Sequence, residues 1–136
     1  MLVYHCTPDY IHEFEFNYGV HFGGIISALE AGIRKHQKIA HKIFTECIYL
    51  HICKLDVDSQ FVEEVEDIAD GWHTKLSSGK VYKYINKYEP DINPSWYVYK
   101  DNCIVITEVI EYQIDEAKEL LESYLNEIEN YHGNFN

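Results

Sequence analysis

The chain predicts a mixed α+β domain built on a mainly antiparallel sheet, with flanking helices and a helix at the C-terminal end. Three observations carry that expectation. Strand-like apolar runs stand at Leu2-Val3-Tyr4 and again across residues 46–56. Further strand-like runs, separated by turn residues, crowd the stretch after residue 80. A long amphipathic pattern then occupies residues 113–131. Strand, helix, strand, helix, several strands and helix is the order of an α+β domain.

Each element has its own warrant. Residues 2–6 read as the first strand, stopped by the turn formers Thr7-Pro8-Asp9, after which a loop holds Phe14, Phe16 and Tyr18. Gly23 to about Gln37 reads as a helix whose inner face is Ile25, Ile26, Ala28, Leu29 and Ile33, with Gly32 weakening its second half. Phe61, Val65, Ile68 and Trp72 recur at helical intervals and predict a second helix ending near Gly71. Val81 to Ile85, Trp96 to Tyr99 and Cys103 to Tyr112 read as strands, with turns at Asn93-Pro94 and Lys100-Asp101-Asn102. In the last helix Ile114, Ala117, Leu121, Tyr124, Ile128 and Tyr131 form a heptad seam, which Leu120 and Leu125 widen. So wide a stripe suits packing on the parent sheet; a homodimer through this helix is the alternative.

Composition narrows the classes of function. With 136 residues, 46% apolar and 15% aromatic, the chain is expected to be one ordered domain, residues 1–136. No apolar run approaches the ~20 residues of a membrane span, and no basic region with a cleavage site precedes the first strand, so a soluble cytoplasmic protein is expected. The 23 acids against 11 bases leave a net charge of −12, which repels phosphate backbones. Nucleic acid is therefore a disfavoured partner, and a protein with a basic surface is an easier one. The four cysteines form no Cys-x-x-Cys, and His36 and His41 miss the spacing of a helical metal site. His51-Ile52-Cys53 is the one close pair of ligand types. Reduced, buried thiols and no metal are the expectation.

Four blocks, in order, resemble the ADP-ribosyltransferase superfamily over most of residues 2–106. Val3-Tyr4-His5-Cys6-Thr7 looks like the opening strand with its His-Gly-Thr or His-Gly-Ser motif. Gly19-Val20-His21-Phe22-Gly23 is similar to the Gly-Ile-His-Phe-Gly segment of small phage and mobile-element transferase domains. Ile48-Tyr49-Leu50-His51-Ile52 looks like the mid-domain strand of that group. Tyr84-Ile85-Asn86-Lys87-Tyr88-Glu89, followed by Ser95-Trp96-Tyr97-Val98-Tyr99-Lys100-Asp101, is similar to the family's Tyr-x-Asn-x-x-Glu and final strand.

The resemblance implies a split, mainly antiparallel sheet that binds NAD between two strands. His5 would bond a ribose hydroxyl of the adenosine half, and the backbone at Cys6 and Thr7 would grip the nicotinamide carboxamide. His21, beside Phe22, would pack its ring against nicotinamide. Glu89 would bond the other ribose and stabilise the cationic sugar that forms as nicotinamide departs, a contact stronger in the transition state than before it. The acceptor would be a side chain of a protein target, host-encoded if this is a phage effector against a host defence.

Two positions depart from the family pattern. Cys6 stands where the family has glycine, and Pro94-Ser95-Trp96 carries no acid where many relatives place their glutamate. Residue by residue, plainer roles stay open. His5 could cap a turn, His21 could be solvated, Glu89 before Pro90 could be a turn residue, and the tyrosines could serve cross-strand packing. The alternative function is a non-catalytic acidic inhibitor that occupies a basic nucleic-acid-binding surface of a partner.

Overall fold

The computed structural model describes residues 1–39, 46–87 and 91–133. In chain order its elements are β1 (Leu2–Thr7), β2 (Val20–Phe22), α1 (Ile25–Ile39), β3 (Cys47–Leu55), a 3-10 turn (Ser59–Phe61), β4 (Val62–Glu64), α2 (Trp72–Lys75), β5 (Lys80–Tyr84), β6 (Ser95–Tyr99), β7 (Ile104–Gln113) and α3 (Ile114–Gly133). They build an α+β fold with two mostly antiparallel sheets. One has the order β1-β3-β7, the other β2-β6-β5-β4. No helix among the described residues is long and apolar enough to cross a membrane.

Strand β3 is the centre of the first sheet and is buried on both faces, which is why its sequence reads as a nearly continuous apolar run. Ile48 and Leu50 face α1 and α3, in a core with Cys6, Leu29, Ile33 and Ala117. Cys53 and Leu55 face the other way, toward Val3, Phe22, Val81 and Val98. That second core joins the two sheets. Helix α1 lies along β1 on the residues its periodicity marked, with Ile26, Leu29 and Ile33 buried. Its first turn is capped by a distant side chain: Asp91 Oδ2 accepts from Ser27 N at 3.0 Å. In α3 the stripe of Ile114, Ala117, Leu120, Leu121 and Tyr124 packs on its own sheet and on α1. The side chain of Tyr131 lies outside the described residues.

The expected helix through Phe61 and Trp72 is not there. Val62–Glu64 instead pairs parallel with β5, in the register Val62↔Val81. Among the described residues this is the one parallel pairing between strands, on the outer edge of its sheet. Ala69 (φ 65°) and Gly71 (φ 69°) then adopt left-handed backbone, which no α-helix can run through. The helical spacing of Val65, Ile68 and Trp72 arises because all three pack on one aromatic cluster with Tyr82, Tyr84 and Tyr97. Tertiary packing, not a helix, sets that period.

Candidate functional site

Among the described residues, the two sheets share one backbone bridge, Tyr4 with Gly23. Tyr4 N donates to Gly23 O at 2.8 Å, and Gly23 N donates to Tyr4 O at 3.0 Å. Continued antiparallel pairing would set Cys6 against His21, but the strands splay instead. His5 fills the gap with its side chain: Nδ1 donates to His21 O at 2.7 Å. Beyond this wedge lies a cavity of about 860 Å³, bordered by β1, β2, α1 and the loop before β2. That volume is within the usual range for ligand sites.

Backbone alternation adds a polar edge to it. In an antiparallel strand both polar groups of one residue face the same neighbour, and the next residue faces the other. Tyr4 faces Gly23, so Cys6, two residues on, turns its N–H and C=O to the same side, where β2 has diverged. The resemblance asks for backbone of this kind at this place.

Three histidines make a connected set. His51, at 0% exposure, sits directly opposite His5 on β3. Its Nδ1 donates to His5 O at 3.2 Å, and its Nε2 accepts from Ile11 N at 2.9 Å. It thereby ties the loop that holds Phe14 to the strand that holds His5. His5 Nδ1 must carry the proton, because a carbonyl only accepts. Its Nε2 is then a bare acceptor with no partner among the described residues. Burial, then the charge of Lys35, lowers the His5 pKa to about 3. His21 is open to the cavity yet enclosed by rings, with Trp72 and Tyr97 each 4.8 Å away between centroids. Its Nδ1 shares a 2.8 Å hydrogen bond with Tyr84 Oη. Burial first, and Lys35 next, bring its pKa down to about 4, with Asp67 pulling the other way. Both imidazoles are neutral at pH 7, so they offer the cavity hydrogen bonding and contact, not charge.

The remaining expected residues take distinct places. The Cys6 thiol is buried against Gly32 of α1, and burial pushes its pKa up to about 12, so it is no nucleophile. Thr7 ends β1, buried, opposite Tyr49. Phe22 is 1% exposed and forms the cavity floor, under His5 (5.5 Å) and Phe14 (4.9 Å). Ser95, at the start of β6, lies in the cavity wall. Its hydroxyl and the Asn86 amide bond each other at 2.8 and 3.0 Å, and Asn86 also donates to Ser27 Oγ at 3.1 Å. Glu89, with Tyr88 and Pro90, lies outside the described residues. Three carboxylates do border the cavity: Glu13, Glu15 and Asp67. Asp67 is held by Ala69 N (3.0 Å) and Lys87 N (3.2 Å).

Sequence reading missed several members of the site. Sequence places His51 in the mid-domain strand but assigns it no role, whereas both its nitrogens are engaged by backbone. Trp72 was assigned to a helix face. Arg34 and Lys35 of α1 also border the cavity and bring positive charge to one wall of an otherwise acidic chain. Their position one helical turn beyond Ala31, which also lines the cavity, was the available signal.

The depressed histidines link stability to pH. In the unfolded chain His5 binds a proton below its ordinary 6.5, whereas in the fold it resists down to about 3. Its contribution is fully present above pH 6.5 and is lost as pH falls, at a limiting slope of about 1.4 kcal/mol per pH unit. His21 acts in the same direction. Urea melts from about pH 7 to about pH 5 should show this decline, and His5→Gln should flatten it. An unchanged slope in that variant would mean that His5 is not the group resisting protonation.

No family model, curated protein or solved structure matches this chain.

Proposed function

We propose that the cleft binds NAD and that the protein transfers ADP-ribose to a side chain of another protein. One observation carries the reading: the two sheets part at Tyr4–Gly23, and the His5 acceptor, the His21 ring and the Cys6 backbone all face the opening. Each suits a different part of the dinucleotide. His5 Nε2 accepts from a ribose hydroxyl. The Cys6 N–H and C=O are complementary to a carboxamide, which has one acceptor and one donor side. His21, rigid between Trp72, Tyr97 and Tyr84, offers a flat contact to the nicotinamide ring. Arg34 and Lys35 lie on the wall where a diphosphate needs positive charge.

NAD supplies the scissile bond between ribose C1′ and the nicotinamide nitrogen. That bond breaks with its electron pair leaving on nicotinamide, and the acceptor side chain bonds C1′ and gives up a proton. The protein's part is to hold the ring and both riboses and to place an anion beside the sugar as it becomes cationic. Glu89 is the acid proposed for this role. On the motif analogy the setting is a host cytoplasm and the protein a phage or mobile-element effector.

Melting the protein with and without NAD tests the reading. At a hundredfold excess over Kd, NAD should add about 2.7 kcal/mol of stability, and nicotinamide should accumulate when a target is present. No shift at millimolar NAD sinks the proposal. Stoichiometric, salt-sensitive binding to a basic protein without NAD would favour the acidic inhibitor instead.

A further inference from the structure

We propose that the open edge of β7 is a docking site for an extended, basic segment of a partner protein, which joins the first sheet as a fourth strand. The inference is independent of what the cleft binds.

β7 is the outer strand of its sheet and one of the two longest strands in the fold, at ten residues against nine for β3. Alternation shows which of its amides are unused. Tyr4 faces Gly23, so His5 faces β3 and makes a mutually bonded pair with His51. Leu50 and Ile52 then face β7, and their partners Ile110 and Glu108 face back. The contacts at both ends agree: Ile114 N donates to Glu46 O at 2.7 Å, and Asp56 N donates to Cys103 O at 2.9 Å. Val109 and Glu111 therefore point their backbone outward. A bulge between Ile52 and Cys53, where Thr107 is the extra residue and its Oγ1 bonds Ile52 O, resets the phase. Beyond it Ile104 and Ile106 face outward. Gln113 does too, but Glu116 Oε1 accepts from its N at 3.2 Å. Four outward amides, those of Ile104, Ile106, Val109 and Glu111, have no partner among the described residues.

The charge along this edge selects the occupant. The charged side chains of β7 are Glu108 and Glu111, both exposed, and exposed Asp115 and Glu116 follow directly. No salt bridge among the described residues involves any of the four. Lys54, opposite Val105 on β3, is the one cation on the adjoining strand. A second copy would set these acids against their own kind, at a cost, whereas a basic strand would neutralise them. Exposed Val105, at 63%, offers an apolar contact for an alternate side chain of the incoming strand.

The probe is a synthetic eight-residue peptide of alternating lysine and valine. It should bind, weaken with added salt, and slow amide exchange at Ile104, Ile106, Val109 and Glu111. Val109→Pro removes one outward donor and leaves the β3 pairing whole, which an edge position tolerates. It should cut affinity at least tenfold while the melting temperature holds. A control needs no change to the protein: the same peptide, N-methylated at every backbone amide, keeps its charge but loses the donors of both edges, and should fail to bind. Equal binding of the N-methylated peptide, no binding of the parent peptide, or indifference to Val109→Pro overturns the proposal. So does a dimer of this chain that Val109→Pro dissolves, since that would assign the edge to a second copy.

Discussion

Gly32→Ala lowers the unfolding free energy by about 2 kcal/mol, and Cys6→Gly in the same chain restores at least half of the loss. A Cβ at position 32 would lie 2.4 Å from Cys6 Sγ, 2.8 Å from its Cβ and 3.1 Å from its carbonyl carbon. Alanine is favoured over glycine in a helix by about 1 kcal/mol, but overpacking costs about 1–3 kcal/mol or more. Here one of the three contacts is backbone that cannot rotate away, so the clash wins. The melting temperature should fall by roughly 8 °C. Removing the Cys6 side chain clears the two closest contacts and leaves only the one at 3.1 Å. A double-mutant cycle should therefore show a coupling of about 1 kcal/mol or more. Additive effects would mean that helix α1 shifts as a body and that the thiol is not what it meets. The pair also explains how a cysteine is accommodated at position 6. The thiol turns toward the helix, into space that Gly32 leaves, while the backbone still faces the cleft.

Glu89→Gln should reduce nicotinamide release by ~10²–10³ while the NAD-induced rise in melting temperature persists. An amide fills the same volume and still bonds a hydroxyl, but it cannot stabilise positive charge on the sugar. The described part of the cleft makes this a sharp test. At the start of β6, Ser95 and Asn86 form a neutral hydroxyl–amide pair. Among the carboxylates that border the cavity, Asp67 is fixed by two backbone amides, and its charge bears on His21. If Glu89→Gln keeps full activity and Asp67→Asn loses it, the acid has been misassigned. If both retain activity, the chemistry runs through neither carboxylate.

Most of the framework was legible because it rests on local periodicity. β1, β3, β5, β6 and β7 and both long helices fall within about two residues of their expected bounds. The segment from Phe61 to Trp72 was not legible. Its apolar spacing answers to one aromatic cluster rather than to a helix, and its left-handed Ala69 has no mark in sequence. The site divides in the same way. His5 and His21 could be read because each sits in a short local motif. His51 could not, because its role depends on register: being opposite His5 and within reach of Ile11 is a property of two strands and a loop, not of any one segment. Lys35 was hidden for a similar reason, since only the docking of α1 on β1 brings it near both imidazoles.

The wiring of the two sheets bears on how the molecule is made. The first sheet takes its strands from the beginning, middle and far end of the chain, β1, β3 and β7, while the second is assembled from the segments between. Neither sheet can be complete until β7 or β6, respectively, has been synthesised, and β1 must wait through α1 for its partner. Long-range closure of this kind makes folding slow relative to a helical protein of the same size. The opening at Tyr4–Gly23 is thus a late product of biosynthesis: a nascent chain halted before its last strands has not yet formed the cavity.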